Sequence, residues 1–158
     1  MSVKADYSVW NKIKKDLRKG KDLELNVGFF EDAVYPDGTQ VAYVAFLNEE
    51  GHRNGPGAVF PDAYTPPRPF MRVGFQSYLK SNPMIFKKSV ERLLEGQSTF
   101  TQEYKLLGPK LVSELKEIID DWTSPPNSPA TVDIKGEDNP LILSERMRNS
   151  VDFRVEKE

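Results

Sequence analysis

The sequence predicts an α+β fold, a small and mostly antiparallel sheet packed with several helices and carrying a projecting loop. Three observations carry that expectation. Leu23, Leu25, Val27 and Phe29 alternate with Asp22, Glu24, Asn26 and Gly28, the period of a strand with one buried face. Val151, Phe153 and Val155 alternate in the same way with Asp152, Arg154 and Glu156, so the chain begins and ends near one sheet. Between them, Tyr104, Leu107, Leu111, Leu115, Ile118, Ile119 and Trp122 form one stripe of a long helix from Thr101 to Trp122. A chain of 158 residues is long enough for one domain and too short for two ordinary ones, so residues 1–158 are read as a single unit.

The elements follow in order. Val9, Trp10, Ile13 and Leu17 recur at helical spacing from about Asp6 to Lys19, with Asp6 or Ser8 as N-cap and Gly20 placed for a left-handed C-terminal residue. After the first strand, Pro36-Asp37-Gly38 reads as a turn, and Thr39 caps a short helix through Leu47 that Gly51 ends. Residues 52–69 hold Gly, Pro, Asn and aromatic residues with little periodicity, the pattern of an extended loop or arm. Pro69 suits the first turn of a helix that Asn82-Pro83 interrupts, and the pattern resumes through Met84, Phe86, Val90, Leu93 and Leu94 before Gly96. Gly108-Pro109 is placed to kink the long helix, and the run Ser124 to Pro129 stops it. Thr131 to Gly136 reads as a short strand or extended segment, and Pro140 to Leu143 leads into one or two helical turns ending at Asn149.

Composition narrows the function. Apolar residues make up 38% of the chain, with nine Phe, six Tyr and two Trp, enough bulk for a folded core. No window approaches the roughly 18 consecutive apolar residues of a membrane span, and the N-terminus lacks the apolar stretch of a signal peptide, so assembly in a cytoplasm is expected. The absence of cysteine removes disulfides, thiolate nucleophiles and cysteine-built zinc sites. The net charge of −2 conceals an asymmetry: residues 1–21 hold seven Lys and Arg against Asp6 and Asp16, whereas residues 31–62 hold six acids against Arg53. Opposite signs on separate segments suit head-to-tail packing of identical subunits, and equally suit two solvated faces.

Catalytic chemistry finds little support. His52, the single histidine, sits in a Gly-rich polar segment without a nucleophile elbow. Glu49, Glu50 and His52 do not have the spacing of a metal motif, and the adjacent pairs Asp120-Asp121 and Glu31-Asp32 point to different sides of their backbones. Gly55-Pro56-Gly57 lacks the strand and the Lys-Ser/Thr continuation of a phosphate loop. No catalytic residue, cofactor or metal ligand is therefore assigned.

The feature with most content lies between Phe46 and Arg72. Asn48-Glu49-Glu50-Gly51 follows a short apolar helix, and Pro66-Pro67-Arg68-Pro69-Phe70 opens the next one; a later block runs from Pro125-Pro126-Asn127 through Lys135-Gly136 to Asn139-Pro140-Leu141-Ile142. In that order the blocks resemble bacteriophage neck and tail-completion proteins. Leu143-Ser144-Glu145 stands where that family often has an Asp-Thr-Gly turn, and the insert from Asn54 to Ala63 is longer. The resemblance implies a virion structural protein without enzymatic activity, assembled in the host cytoplasm into a homo-oligomeric ring, commonly of six subunits. Such a ring joins head to tail beside connector and tail-tube proteins, or terminates the tail tube. Genomic DNA passes through its lumen without specific binding, and no membrane is involved. Stiff proline-rich segments dock at low entropic cost, and Arg and aromatic residues are frequent interface anchors, so Asn48, Glu49, Pro66, Pro67, Arg68, Pro69 and Phe70 are candidate subunit or partner contacts. The alternative places Phe70 in the subunit's own core, with the prolines only stiffening a connection. Two competing functions are a metal-dependent nuclease using the acids and a DNA-binding accessory protein using the basic first helix.

Overall fold

The computed structural model describes residues 7–142 and 144–157, and the fold is α+β. Asp6, one of the two expected caps, and Leu143 lie outside the described residues. The helices are α1 (Ser8–Gly20), α2 (Val41–Glu50), α3 (Phe70–Ser81), α4 (Pro83–Leu94), α5 (Phe100–Asp121), α6 (Pro129–Lys135) and α7 (Arg146–Asn149). The strands β1 (Leu23–Gly28) and β4 (Asp152–Lys157) form one antiparallel pair, and β2 (His52–Arg53) and β3 (Tyr64–Thr65) form another.

The first pair joins the two ends of the domain. Leu23 lies opposite Lys157, Leu25 opposite Val155, and Val27 opposite Phe153, so the alternating apolar residues of both strands share one face. Helix α5 packs across both strands. In a two-stranded sheet each strand keeps an outer edge, and among the described residues no further strand pairs with β1 or β4. Close approach of α5 to the sheet depends on Gly108, because a Cβ there would stand 2.2 Å from a ring carbon of Phe153. Pro109 follows inside the helix, which continues to Asp121 without ending.

The core lies where α2, α3, α5 and α7 meet. Val41, Ala45, Phe70, Leu115, Ile119, Leu141, Met147 and Val151 form one buried cluster. Phe29, just past β1, meets Phe70 edge to face at 6.2 Å.

Several local expectations change in the folded chain. Ser8 is the first helical residue of α1 and Tyr7 holds the cap position without a side-chain capping bond. Gly20 is not left-handed; it is the last residue of α1 and lies against the ring of Phe100. The cap of α2 is Gln40, while the Thr39 N–H donates to Asp37 at 2.9 Å and closes the preceding turn. The arm at 52–69 is organised by the β2–β3 hairpin, with Asn54 donating from its backbone to Ala63 at the base of the long loop. The largest correction is at 129–135, where the expected strand or extended segment is helix α6. Ser128 accepts from Thr131 N–H, Pro129 occupies the first turn, and Gly136 ends the helix in the left-handed region. Those capping signals outweigh the β-branched Thr131, Val132 and Ile134.

The turn between α4 and α5 is fixed by charge. Arg92 donates to both carboxylate oxygens of Glu103, at 2.8 and 2.5 Å, and Glu103 is 1% exposed. Thr99 and Gln102 form a reciprocal capping box at the start of α5. The Arg92 hydrogen bond outweighs burial and holds the Glu103 carboxyl down from the ordinary 4.5 to about 2. Because the folded value lies below the ordinary one, ionised Glu103 contributes its full stability above pH 4.5, and that share is lost as the pH falls toward about 2.

Three variants test these contacts. In urea titrations across that acid range, Glu103→Gln is expected to flatten the loss of stability; a variant with an unchanged acid slope excludes the pair as its source. Gly108→Ala gains about 1 kcal/mol of helix propensity. It forces β4 away from α5 at an overpacking cost of up to about 3 kcal/mol, so a net loss of about 1–2 kcal/mol is expected. Gly57→Ala, where a Cβ meets nothing within 4 Å, should stay within about 0.5 kcal/mol of the parent.

Candidate functional site

The three sequence blocks singled out above converge on one junction. Gly51 ends α2 at φ 72°, in the left-handed region that glycine enters without strain. A Cβ there would also sit 2.7 Å from the Pro67 nitrogen, so the α2 end and the proline run touch backbone to backbone. The Asn48 carbonyl accepts from the Arg68 N–H at 2.7 Å, and the Asn48 side chain donates back to the Val44 carbonyl at 2.9 Å.

Glu49 caps a helix to which it is not adjacent in sequence. Its carboxylate accepts from the backbone N–H groups of Met71 and Arg72 at 2.9 and 3.1 Å, two of the orphan donors at the start of α3. The negative charge also meets the positive end of the α3 dipole. Arg72 adds a side-chain bond to Glu49 at 3.1 Å and another to Glu50 at 2.6 Å. Pro69, at the α3 cap position, supplies no side-chain acceptor of its own, so the distant glutamate does that work.

Arg68 ties this half to the C-terminal block. It is 5% exposed, and its guanidinium donates to the carbonyls of Pro125, Pro126 and Pro140 at 3.2, 3.2 and 3.1 Å and to the Asn127 side-chain oxygen at 3.2 Å. Proline carbonyls suit the role, since a proline run offers acceptors without competing N–H donors. Burial lowers the Arg68 pKa from its ordinary value, and Asp138 opposes the shift by charge. Asp138 also accepts from the Asn127 N–H at 3.0 Å. Lys135 stands close enough that Arg68 lowers its pKa, behind the larger effect of burial, and its ammonium donates to the Asn139 carbonyl.

The candidate contact residues therefore separate into two groups. Glu49, Arg68 and Phe70 are buried and spent on contacts within the chain, Phe70 being fully enclosed. Asn48, Pro66 and Pro69 are half-buried, and Pro67 is exposed. The exposed tip beyond them is the hairpin loop, where Val59 is 76% and Tyr64 60% exposed. Sequence reasoning marked these blocks but missed that one arginine joins them across 57 to 72 residues; an isolated arginine amid prolines was the available signal.

A cavity of about 410 Å³ opens beside the junction, walled by His52, Thr65, Arg68, Asn127 and Lys135 among others. His52 Nδ1 lies 3.2 Å from the Leu47 carbonyl, which places the proton on that nitrogen. Among the described residues, no group of three His, Cys, Asp or Glu side chains is placed to hold a metal ion, and no helix is long and apolar enough to cross a membrane. The chain matches no protein-family model, no curated protein and no solved structure.

Truncation of Arg68 leaves the buried Pro140 carbonyl and the part-buried Pro125 and Pro126 carbonyls without this donor. Arg68→Ala should cost roughly 3 kcal/mol of unfolding free energy and Arg68→Lys roughly 2, since one ammonium cannot span the four acceptors. Denaturant titration measures both, and a lysine variant as stable as the parent contradicts the role given to the planar guanidinium.

Proposed function

We propose that this chain is a virion structural protein that packs head to tail into a ring at the junction of a phage head and tail, around a lumen that passes DNA. The observation that carries the reading is the Arg68 junction. The blocks whose order resembles neck and tail-completion proteins lie far apart in sequence, and here they meet in one buried hydrogen-bonded unit. That makes them parts of a single architectural element and not three separate coincidences of composition.

Two further features support a subunit that meets neighbours. Among the described residues no third strand covers the outer edges of the β1–β4 pair, which suits them to accept one, and the hairpin exposes apolar side chains beyond the junction that braces it. With Glu49, Arg68 and Phe70 turned inward, the exposed Pro67 and the hairpin loop carry the contact role on this side of the molecule.

Electron microscopy of lysates from a phage carrying an early stop codon in this gene tests the reading. Filled heads beside separate tails of normal length are expected. Overlong tails reassign the protein to termination of the tail tube, and intact infectious particles overturn a structural role.

A further inference from the structure

A second surface, remote in sequence from the Arg68 junction, has a different chemistry. Helix α1 turns Asn11, Lys14, Lys15, Arg18 and Lys19 toward an open groove of about 630 Å³, completed by Asp22 and Leu23, by Thr101 at the start of α5 and by Lys157 at the end of β4. Lys14, Lys15, Arg18, Lys19 and Lys157 are all exposed. Among the described residues none of the five is in an ion pair. Among the described residues, Asp22 is the one acid on the groove wall. The whole chain is acidic by two charges, so this concentration of cations is local and not a reflection of overall composition.

The spacing distinguishes possible ligands. Lys14 and Arg18, and likewise Lys15 and Lys19, stand about one turn, about 5.4 Å, apart on the second half of α1, and Lys157 adds a cation from a different element. A single small anion is held by donors that converge in an enclosed pocket, whereas this row is open and linear. It suits a polymer with regularly repeated negative charge. Trp10 borders the row, 55% exposed, with the Lys14 ammonium 5.5 Å from its ring centroid. Trp10 and, one turn before it, the exposed Tyr7 stand at the margin and not among the cations, and they do not make the run of stacking platforms that single strands need, which favours a duplex bound through its backbone.

We propose that this groove binds the phosphodiester backbone of double-stranded DNA without sequence preference. The groove lies within one subunit, so the inference stands apart from the ring reading, and a chain that plays no part in tails can still pass its test.

Fluorescence anisotropy with two unrelated 20-base-pair duplexes, titrated between about 50 and 200 mM salt, provides that test. Equal binding of both duplexes is expected, with a slope of log K against log salt of about −4 for four to five neutralised phosphates. Lys14→Ala/Lys15→Ala/Arg18→Ala should weaken low-salt binding at least tenfold and reduce the slope by about three. Lys87→Ala/Lys88→Ala, exposed lysines on α4, should change neither. If the triple variant does not keep the parent melting temperature, Lys15→Ala and Lys157→Ala separately should each reduce the slope by about one. No binding at the lowest salt, equal losses in the α4 control, or binding to phosphatidylglycerol vesicles but not to DNA would each overturn the inference.

Discussion

One buried cation organises this protein. The Arg68 guanidinium is desolvated, and among its hydrogen-bond partners are three main-chain carbonyls from the proline-rich C-terminal block. Burying a charge without compensation is costly, so these bonds are obligatory: the proline block must lie where it does, or the arginine must leave the interior. The backbone N–H of the same residue fixes the end of α2 through Asn48, and two residues later Phe70 fills the centre of the core. Polar and apolar constraints thus meet within one tripeptide.

Around that point the molecule is assembled from restraints that act over long sequence distances. Glu49 caps α3 from the end of α2, Arg92 and Glu103 brace the turn before α5, and Arg148 on α7 reaches Asp120 on α5 at 2.6 Å. Each pairs a cation or a helix start with a carboxylate. The apolar cluster alone is small, and these polar links fix the angles at which its helices meet.

Periodicity revealed the regular elements well. The strands at both ends and the long amphipathic helix stood out because their apolar spacing is imposed by one local geometry, whatever the rest of the chain does. The 129–135 segment did not, because its β-branched residues and its caps point in opposite directions and only the caps are obeyed. Gly20 does end α1, though not in the left-handed region, and what spacing could not show is that Gly20 and Gly108 each lie close against an aromatic ring from another element. The junction was legible as motifs and illegible as contacts, since nothing in the spacing of Arg68, Pro125 and Pro140 says that they touch. The groove was legible only as a run of basic residues; Lys157 joins it solely because β4 returns beside β1.

That return has a consequence for how the protein is made. Leu23 has no sheet partner until Lys157 has been synthesised, and at roughly 5–20 residues per second the wait is on the order of ten seconds. During that interval β1 carries unpaired amides and a half-apolar face beside identical nascent chains on the same message. Asp22 and Glu24 beside it, and the lysines of α1, are charges of the kind that disfavour edge-to-edge pairing. Closure of the sheet is therefore a late step, because β1 gains its partner only after β4 has been made.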